Sequence, residues 1–250
     1  MKIAEGLEVL ELHINTAGSV RVMNPTLVWD KDTIILVDAG LPGQLQNICN
    51  AMEKAGVSFN RLNKVIITHH DMDHIGSLSN VINESKHKVE VLSHEGEKPY
   101  IQGEKRPIKM TSERIAQLEE QMKSMPEDKR NEMKAMYENL KTKVDTLVYD
   151  GEVLQYCGGI IVIHTPGHTP GHICLYLKKY KTLITGDALN VSEGQLHGPN
   201  PMFTYDMEEA INSLKKLAQY DIETVIYYHG GIFNNNANQR IIELANNKLS

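Results

Sequence analysis

The sequence predicts an α/β fold in which sheet and helix layers share a core. Three observations carry that expectation. Short aliphatic runs such as "TIILVDAG" and "GGIIVIHTPG" recur along the chain, at the length of buried strands. Segments with three- and four-residue apolar spacing alternate with them, which separates the pattern from an all-β sandwich. Four of the strand-like runs stop on a histidine or an aspartate, and ligands collect at strand ends of α/β sheets.

Taken in order, "LEVLELHI" (7–14), "SVRVM" (19–23), "PTLVWD" (25–30) and "DTIILVDAG" (32–40) predict strands parted by Gly, Asn or Asp turns. Residues 41–56 predict a helix, because Leu45, Ile48, Cys49 and Met52 repeat on one face and Gly56 ends it. "NKVIITHH" (63–70) is a buried strand, "HIGSLSNVINES" (74–85) opens a helix at once, and "KVEVLSH" (88–94) returns as strand. Residues 97–145 are charged, helical in period and interrupted at Pro126. Ile115, Leu118, Met122 and Met125 form one apolar stripe there, and Met133, Met136, Tyr137 and Leu140 a second. This helical insertion is expected to be a surface hairpin or homodimer contact, or else a lid whose methionines touch substrate. Strands resume over 145–168 and 172–187, followed by a helix over 206–220, the strand "TVIYYHGG" (224–231) and a last helix "NQRIIELANNKL" (238–249). No Pro/Ser-rich linker divides the halves, so one domain over 1–250 is expected.

Composition narrows the function. The net charge is −6 with Lys and Arg dispersed among acids, which argues against a nucleic-acid groove. No apolar run approaches the roughly 18–20 residues of a membrane span. "MKIAEGLEVLELH" lacks the apolar stretch and cleavage site of a secretory leader. Cys49, Cys157 and Cys174 lie far apart with no C-x-x-C pair, as expected of reduced thiols in the cytoplasm.

The chemistry concentrates in "VIITHHDMDHIGSLSN" (65–80), where His69, His70, Asp71, Asp73 and His74 follow an apolar run. Packed together, such groups repel when charged and need partners when buried. Three other strand ends add His168 in "HTPGHTPGH", Asp187 in "LITGDAL" and His229 in "IYYHGG". Converging imidazoles and carboxylates match a two-metal site of N and O ligands. In extended backbone His69 and Asp71 project to one side and can reach one ion. Asp73 and His74, where the chain turns into a helix, can reach another.

Together with "LVDAG", "TPGHTPGH", "TGDAL" and "YYHGG", in order from Asp38 to His229, the H-x-D-x-D-H frame resembles the five motifs of the metallo-β-lactamase-fold hydrolase superfamily. The resemblance implies a four-layer αββα sandwich. It also implies that His69, Asp71 and His168 bind a first metal, that Asp73, His74 and His229 bind a second, and that Asp187 bridges them. Asp38 would orient ligands from beneath, and Pro166, Gly167 and Gly171 would shape the loop presenting His168. His172 and His164 match supporting positions rather than ligands. The family usually has histidine where this chain has Asp71. A harder oxygen ligand shifts preference from Zn toward Mn or Fe, so the expected cofactors are two divalent ions, Zn first, with Mn or Fe as alternatives.

A metal-bridging hydroxide would then attack an ester, lactone, thioester or related bond in a small-molecule substrate, with Asp73 passing a proton to the leaving group. No G-x-S-x-G elbow or Cys nucleophile competes. The resemblance narrows the substrate little. Lactonases of the family carry tyrosine three residues after the bridging acid, where this chain has Asn190, and the C-terminus lacks the basic glutathione site of glyoxalase-type enzymes. The rivals are a di-iron redox enzyme and a non-catalytic metal-binding sensor. His70 is expected to be a bystander. His13, His87, His94 and His197 fall outside the ligand spacing, with His197 close enough in sequence to line the pocket.

Overall fold

The computed structural model describes residues 1–16 and 19–246. The chain opens with β1 (Lys2–Ala4) and β2 (Leu7–Val9), a hairpin of β3 (Leu12–Thr16) and β4 (Ser19–Met23), then β5 (Thr26–Trp29) and β6 (Ile34–Val37). Next come α1 (Leu45–Lys54), β7 (Lys64–Ile67), α2 (Met72–Ile75), α3 (Leu78–Glu84) and β8 (Glu90–His94). The helices α4 (Lys98–Ile101), α5 (Ser112–Lys123) and α6 (Glu127–Asn139) lead into β9 (Thr146–Val148). A seven-stranded sheet runs β1-β2-β5-β6-β7-β8-β9. It is antiparallel up to β6 and parallel from β6 to β9. Each parallel step is bridged by helices, because such a step needs a crossover longer than a hairpin.

The second half supplies β10 (Val153–Leu154), β11 (Ile160–His164), β12 (Ile173–Leu177), β13 (Thr182–Ile184) and a small hairpin of β14 (Asn190–Ser192) and β15 (Gln195–His197). The helix α7 (Met207–Leu217), β16 (Thr224–Tyr227), β17 (Gly231–Phe233) and α8 (Ala237–Asn246) follow. The six-stranded sheet runs β10-β11-β12-β13-β16-β17. Its one parallel pair is β13–β16, whose crossover contains α7.

The burial pattern explains the layers. Val9, Val28, Ile35, Val37 and Ile66 of the first sheet pack on Ile160, Val162, Ile173, Leu175 and Ile226 of the second. The alternate residues of the first sheet, including Leu36, Val65 and Ile67, face Ile48, Met52, Leu78 and Val81 of α1 and α3. Those of the second, including Ile163, Cys174, Leu183 and Val225, face Leu214, Leu217 and Ile241 of α7 and α8. Period-two alternation along strands buried on both faces therefore yields helix, sheet, sheet and helix. No helix among the described residues is long and apolar enough to cross a membrane.

Some expected boundaries move. The strand expected over 7–14 is two, because the Leu10 amide donates to Pro25 O and the chain departs into the separate β3–β4 hairpin. The helix expected over 74–85 begins earlier and breaks after Ile75. Gly76 lies so close to the preceding loop that a Cβ would stand 2.3 Å from Pro42 N. The strand expected over 224–231 is a hairpin, with His229 in its turn. The last residues of the helix expected over 238–249 lie outside the described residues.

The helical break at Pro126 stands as expected, with Pro126 capping α6. Neither α5 nor α6 has a buried residue, and the two apolar stripes are their half-buried faces. The start of the 97–145 segment behaves differently. Ile101 enters the core, and Thr142 N pairs with Ile101 O where the chain returns.

Candidate metal centre

The four predicted strand ends meet at the mouth between the two sheets, rather than along one edge of a single sheet. The loop after β7 comes from the first sheet; the loops after β11, β13 and β16 come from the second. Face-to-face packing of the sheets closes the gap between residues as distant in sequence as His69 and His229.

Asp71 keeps extended backbone (φ −64°, ψ 145°) as the residue before α2. His69 Nε2 and Asp71 Oδ2 consequently lie 3.4 Å apart on one side, and His168 Nε2 is 3.0 Å from the same oxygen. The first turn of α2 carries Asp73 and His74. Asp73 Oδ2 is 3.2 Å from His229 Nε2 and 4.0 Å from His74 Nε2. Asp187 stands between the two groups. Its Oδ2 is 3.5 Å from His168 Nε2, while its Oδ1 is 3.5 Å from His74 Nε2 and 3.4 Å from His229 Nε2.

Three sets of potential ligands have their donor atoms within 4.8 Å of one another: His69, Asp71 and His168; His69, His74 and Asp187; and Asp73, His74 and His229. Among the described residues these sets contain the seven side chains singled out in the sequence and no others. Whether an ion fits is answered by the orphaned atoms. His69 Nε2, His74 Nε2 and Asp187 Oδ1 are buried and have no hydrogen-bond partner. Lone pairs desolvated without a donor are costly, and a divalent ion held by nitrogen and oxygen satisfies them.

The supporting hydrogen bonds aim those lone pairs inward. Asp38 Oδ1 accepts the Thr68 amide at 2.8 Å, and its Oδ2 accepts the Thr68 hydroxyl at 2.8 Å and His74 Nδ1 at 2.9 Å. With its one proton given to Asp38, the Thr68 hydroxyl can only accept from His69 Nδ1, at 3.0 Å. Both rings therefore carry the proton on Nδ1 and present Nε2 to the centre. Asp38 takes a left-handed conformation, φ 63°, to make these contacts. His172 is not a ligand. Its Nε2 accepts the Asp187 amide at 3.1 Å, so its Nδ1 donates to Thr165 Oγ1 at 2.9 Å. His164 also supports, donating from Nε2 to Pro170 O at 3.0 Å.

Charge follows from this packing. Burial, reinforced by His74, holds His69 well below the ordinary histidine range. Burial likewise keeps His172 neutral. Burial alone would push Asp71 and Asp187 up, but His168, His69 and Lys109 hold the first well below the usual carboxylate range, and His74 and His229 hold the second there. His229 rises to about 9 despite burial, because Asp187 and Asp73 face it. A cation arriving here meets ionised carboxylates and displaces histidine protons.

Sequence reasoning missed Glu97, Lys109 and Tyr228. Glu97 is fully buried. Its Oε1 accepts Thr169 Oγ1 at 2.8 Å and the Gly171 amide at 2.7 Å, while its Oε2 accepts the His70 amide at 2.8 Å and pairs with His70 Nδ1. One carboxylate thus joins the 69–71 strand end to the loop of His168, and His70 is a buried strut rather than a bystander. Gly96 and Gly171 permit that junction: a Cβ on Gly171 would lie 2.6 Å from Glu97 N and 2.8 Å from Gly96 Cα. Lys109 bonds to Asp71 Oδ2 and, at 2.8 Å, to His168 Nε2. The Tyr228 hydroxyl donates to Asp73 O at 2.6 Å and accepts the Gly40 amide at 3.1 Å. A lone acid or lysine in a charged stretch has no local pattern; the adjacent tyrosines of "IYYHGG" were the one available signal.

The remaining histidines stay out of the centre. His94 stacks on His164 with centroids 4.0 Å apart, His87 bonds to Leu62 O, and His197 is exposed on β15. A cleft of about 730 Å³ opens over the candidate ligand side chains. Arg21 and Val22 of β4, Lys109, Arg114 of α5, Leu189, Phe203 and Tyr227 line its wall.

Similarity to known proteins agrees with this geometry. The metallo-beta-lactamase superfamily model matches residues 19–229. The probable metallo-hydrolase YflN of Bacillus subtilis (strain 168) is 31% identical over 231 residues, covering 86% of this chain and 82% of its own. A hydroxyacylglutathione hydrolase of Chelativorans sp. (strain BNC1) matches a shorter part, 38% identical over 86 residues, which is 34% of this chain and 31% of its own. Among solved structures, the metallo-beta-lactamase family protein TTHA1429 of Thermus thermophilus shares the fold, with a TM-score of 0.70 at 23% identity over 98% of this chain and 79% of that one. The motifs keep their order, their side chains converge between two sheets, and the family match spans most of the length: the chain belongs to the metallo-beta-lactamase superfamily, among its metallo-hydrolases.

Proposed function

We propose that the protein uses two divalent cations to hydrolyse an ester, lactone or thioester of a small molecule in the cytoplasm, Zn being the first expectation and Mn or Fe the alternatives that Asp71 favours. The observation that carries this reading is the set of orphaned buried atoms, His69 Nε2, His74 Nε2 and Asp187 Oδ1, flanked by the other predicted donors. His69, Asp71 and His168 would hold one ion and Asp73, His74 and His229 the other, with one oxygen of Asp187 toward each group. Such ions lower the pKa of a water toward neutrality and offset charge developing on the substrate oxygen.

The chain's own groups do the rest. Asp38 and Thr68 fix the tautomers of His69 and His74. Asp73, its backbone held by Tyr228, would carry a proton to the leaving group. Cys157 and Cys174 do not compete as nucleophiles, since both are buried and burial pushes both up to about 12, and Cys49 of α1 does not line the cleft. Free cysteines also suit a reducing compartment. The partial match to a hydroxyacylglutathione hydrolase keeps acyl transfer to water foremost.

The cleft wall suggests the substrate's outline. Arg21 and Arg114 favour an anionic group away from the scissile bond, and Val22, Leu189 and Phe203 favour an apolar stem. The test is hydrolysis of a panel of esters, lactones and thioesters, each with and without a carboxylate, by metal-stripped protein reconstituted with Zn, Mn or Fe. Turnover that needs metal, prefers the carboxylate-bearing members and drops at least about 1000-fold in Asp187→Asn supports the reading. No turnover with any metal contradicts it.

A further inference from the structure

Lys109 has no part in the reaction as described, yet it touches the centre. Its Nζ donates to Asp71 Oδ2 and lies 2.8 Å from His168 Nε2, which is itself 3.0 Å from that same Asp71 oxygen. These are the lone pairs through which Asp71 and His168 would hold an ion beside His69. An imidazole nitrogen offers one lone pair, so at His168 the ammonium and a metal exclude each other. The other position has no such rival. Among the described residues Asp73, His74, His229 and Asp187 pair with one another, with Asp38 and, through Asp187, with His168, and with no lysine or arginine.

The lysine is presented rather than left to wander. Its side chain is 25% exposed. The neighbouring Ile108 amide donates to His70 Nε2 at 3.4 Å, and His70 is itself tied to Glu97. A turn from Pro107 O to the Met110 amide closes around it. The pairing also accounts for position 71. An aspartate and a lysine together carry no net charge, as the neutral histidine usual in the family carries none.

We propose that Lys109 is a resident competitor for the first metal position, so that the two positions load in sequence. The site of Asp73, His74 and His229 fills first and tightly. The site of His69, Asp71 and His168 fills second, and only as the ammonium leaves His168 and Asp71. This rests on the metal-centre reading above and adds an order of loading to it.

The experiment is a calorimetric titration of metal-stripped, full-length protein with Zn in the presence of a competing chelator, comparing the wild type with Lys109→Met and Lys109→Gln. The expected wild-type result is one tight ion and a second at least about 30-fold weaker, the ratio equivalent to about 2 kcal/mol for a charge-assisted hydrogen bond that must break. In either variant the second ion should tighten until the two affinities lie within about 5-fold. Circular dichroism matching the wild type qualifies a variant, and cobalt(II) absorption, counted per chain, gives the same stoichiometry independently. Two equally tight ions in the wild type, or an affinity gap unchanged in a folded variant, overturns the competition while leaving the metal centre standing. No ion bound by any of the proteins sinks both.

Discussion

At the scale of single residues the centre depends on side chains that never touch an ion. Asp38 accepts from Thr68 and His74 and so sets which ring nitrogen faces inward. Asp38→Ala should weaken metal binding about 10- to 100-fold in a chelator competition, while leaving the ligands themselves intact; an unchanged affinity would show that the rings keep their tautomers without it. Glu97 holds the two metal loops together from the buried side. Glu97→Ala should cost about 3 kcal/mol in urea unfolding, because His70, Thr169 and Gly171 lose a common partner. Its charge gives a pH signature. Burial alone would raise Glu97, but His70, Thr169 and Gly171 hold it below its ordinary 4.5. A depressed carboxylate contributes stability above the unfolded value and loses it as pH falls through the folded one. Wild-type stability should therefore fall as pH drops below about 4.5, and Glu97→Gln should flatten that part of the profile. Equal slopes in the two proteins would remove Glu97 from the account. The candidate ligands were legible because each follows closely on a strand, in motifs whose order resembles that of the family. Glu97 and Lys109 were not, because their meaning lies in partners such as Gly171 and His168, far away in sequence.

At the scale of elements, helix and strand types were readable from periodicity, whereas breaks set by distant backbone were not. Gly76 interrupts a helix because the loop at Leu41 and Pro42 lies against it, and the first long strand splits where Leu10 binds Pro25 O. Close approach governs the loops of the centre too. Gly171→Ala puts a methyl 2.6 Å from Glu97 N, and should destabilise the fold by about 1–3 kcal/mol and loosen metal binding with it. Full stability in that variant would mean that the Gly96–Gly171 contact can open freely. The α5–α6 segment calls for the opposite result. Its residues are exposed or half-buried, with Met133 and Met136 on the half-buried face. Met133→Ser should change unfolding free energy by no more than about 0.5 kcal/mol. A loss several times larger would mean that another surface covers the stripe.

At the scale of the molecule, the two sheets are locked by the apolar face between them, and their loops place seven candidate ligands from opposite halves of the chain at one mouth. The layered α/β character was legible because strands buried on both faces alternate with amphipathic helices. The convergence between sheets, rather than along one edge, follows from packing that no local pattern encodes. The account rests on this convergence holding metal. Anomalous diffraction at the zinc edge, from crystals of protein loaded with Zn, tests that most directly. The account predicts a strong peak about 2.0–2.2 Å from His74 Nε2, His229 Nε2 and an Asp73 oxygen, with a weaker one beside His69 and His168. A map with no peak among these side chains would contradict it.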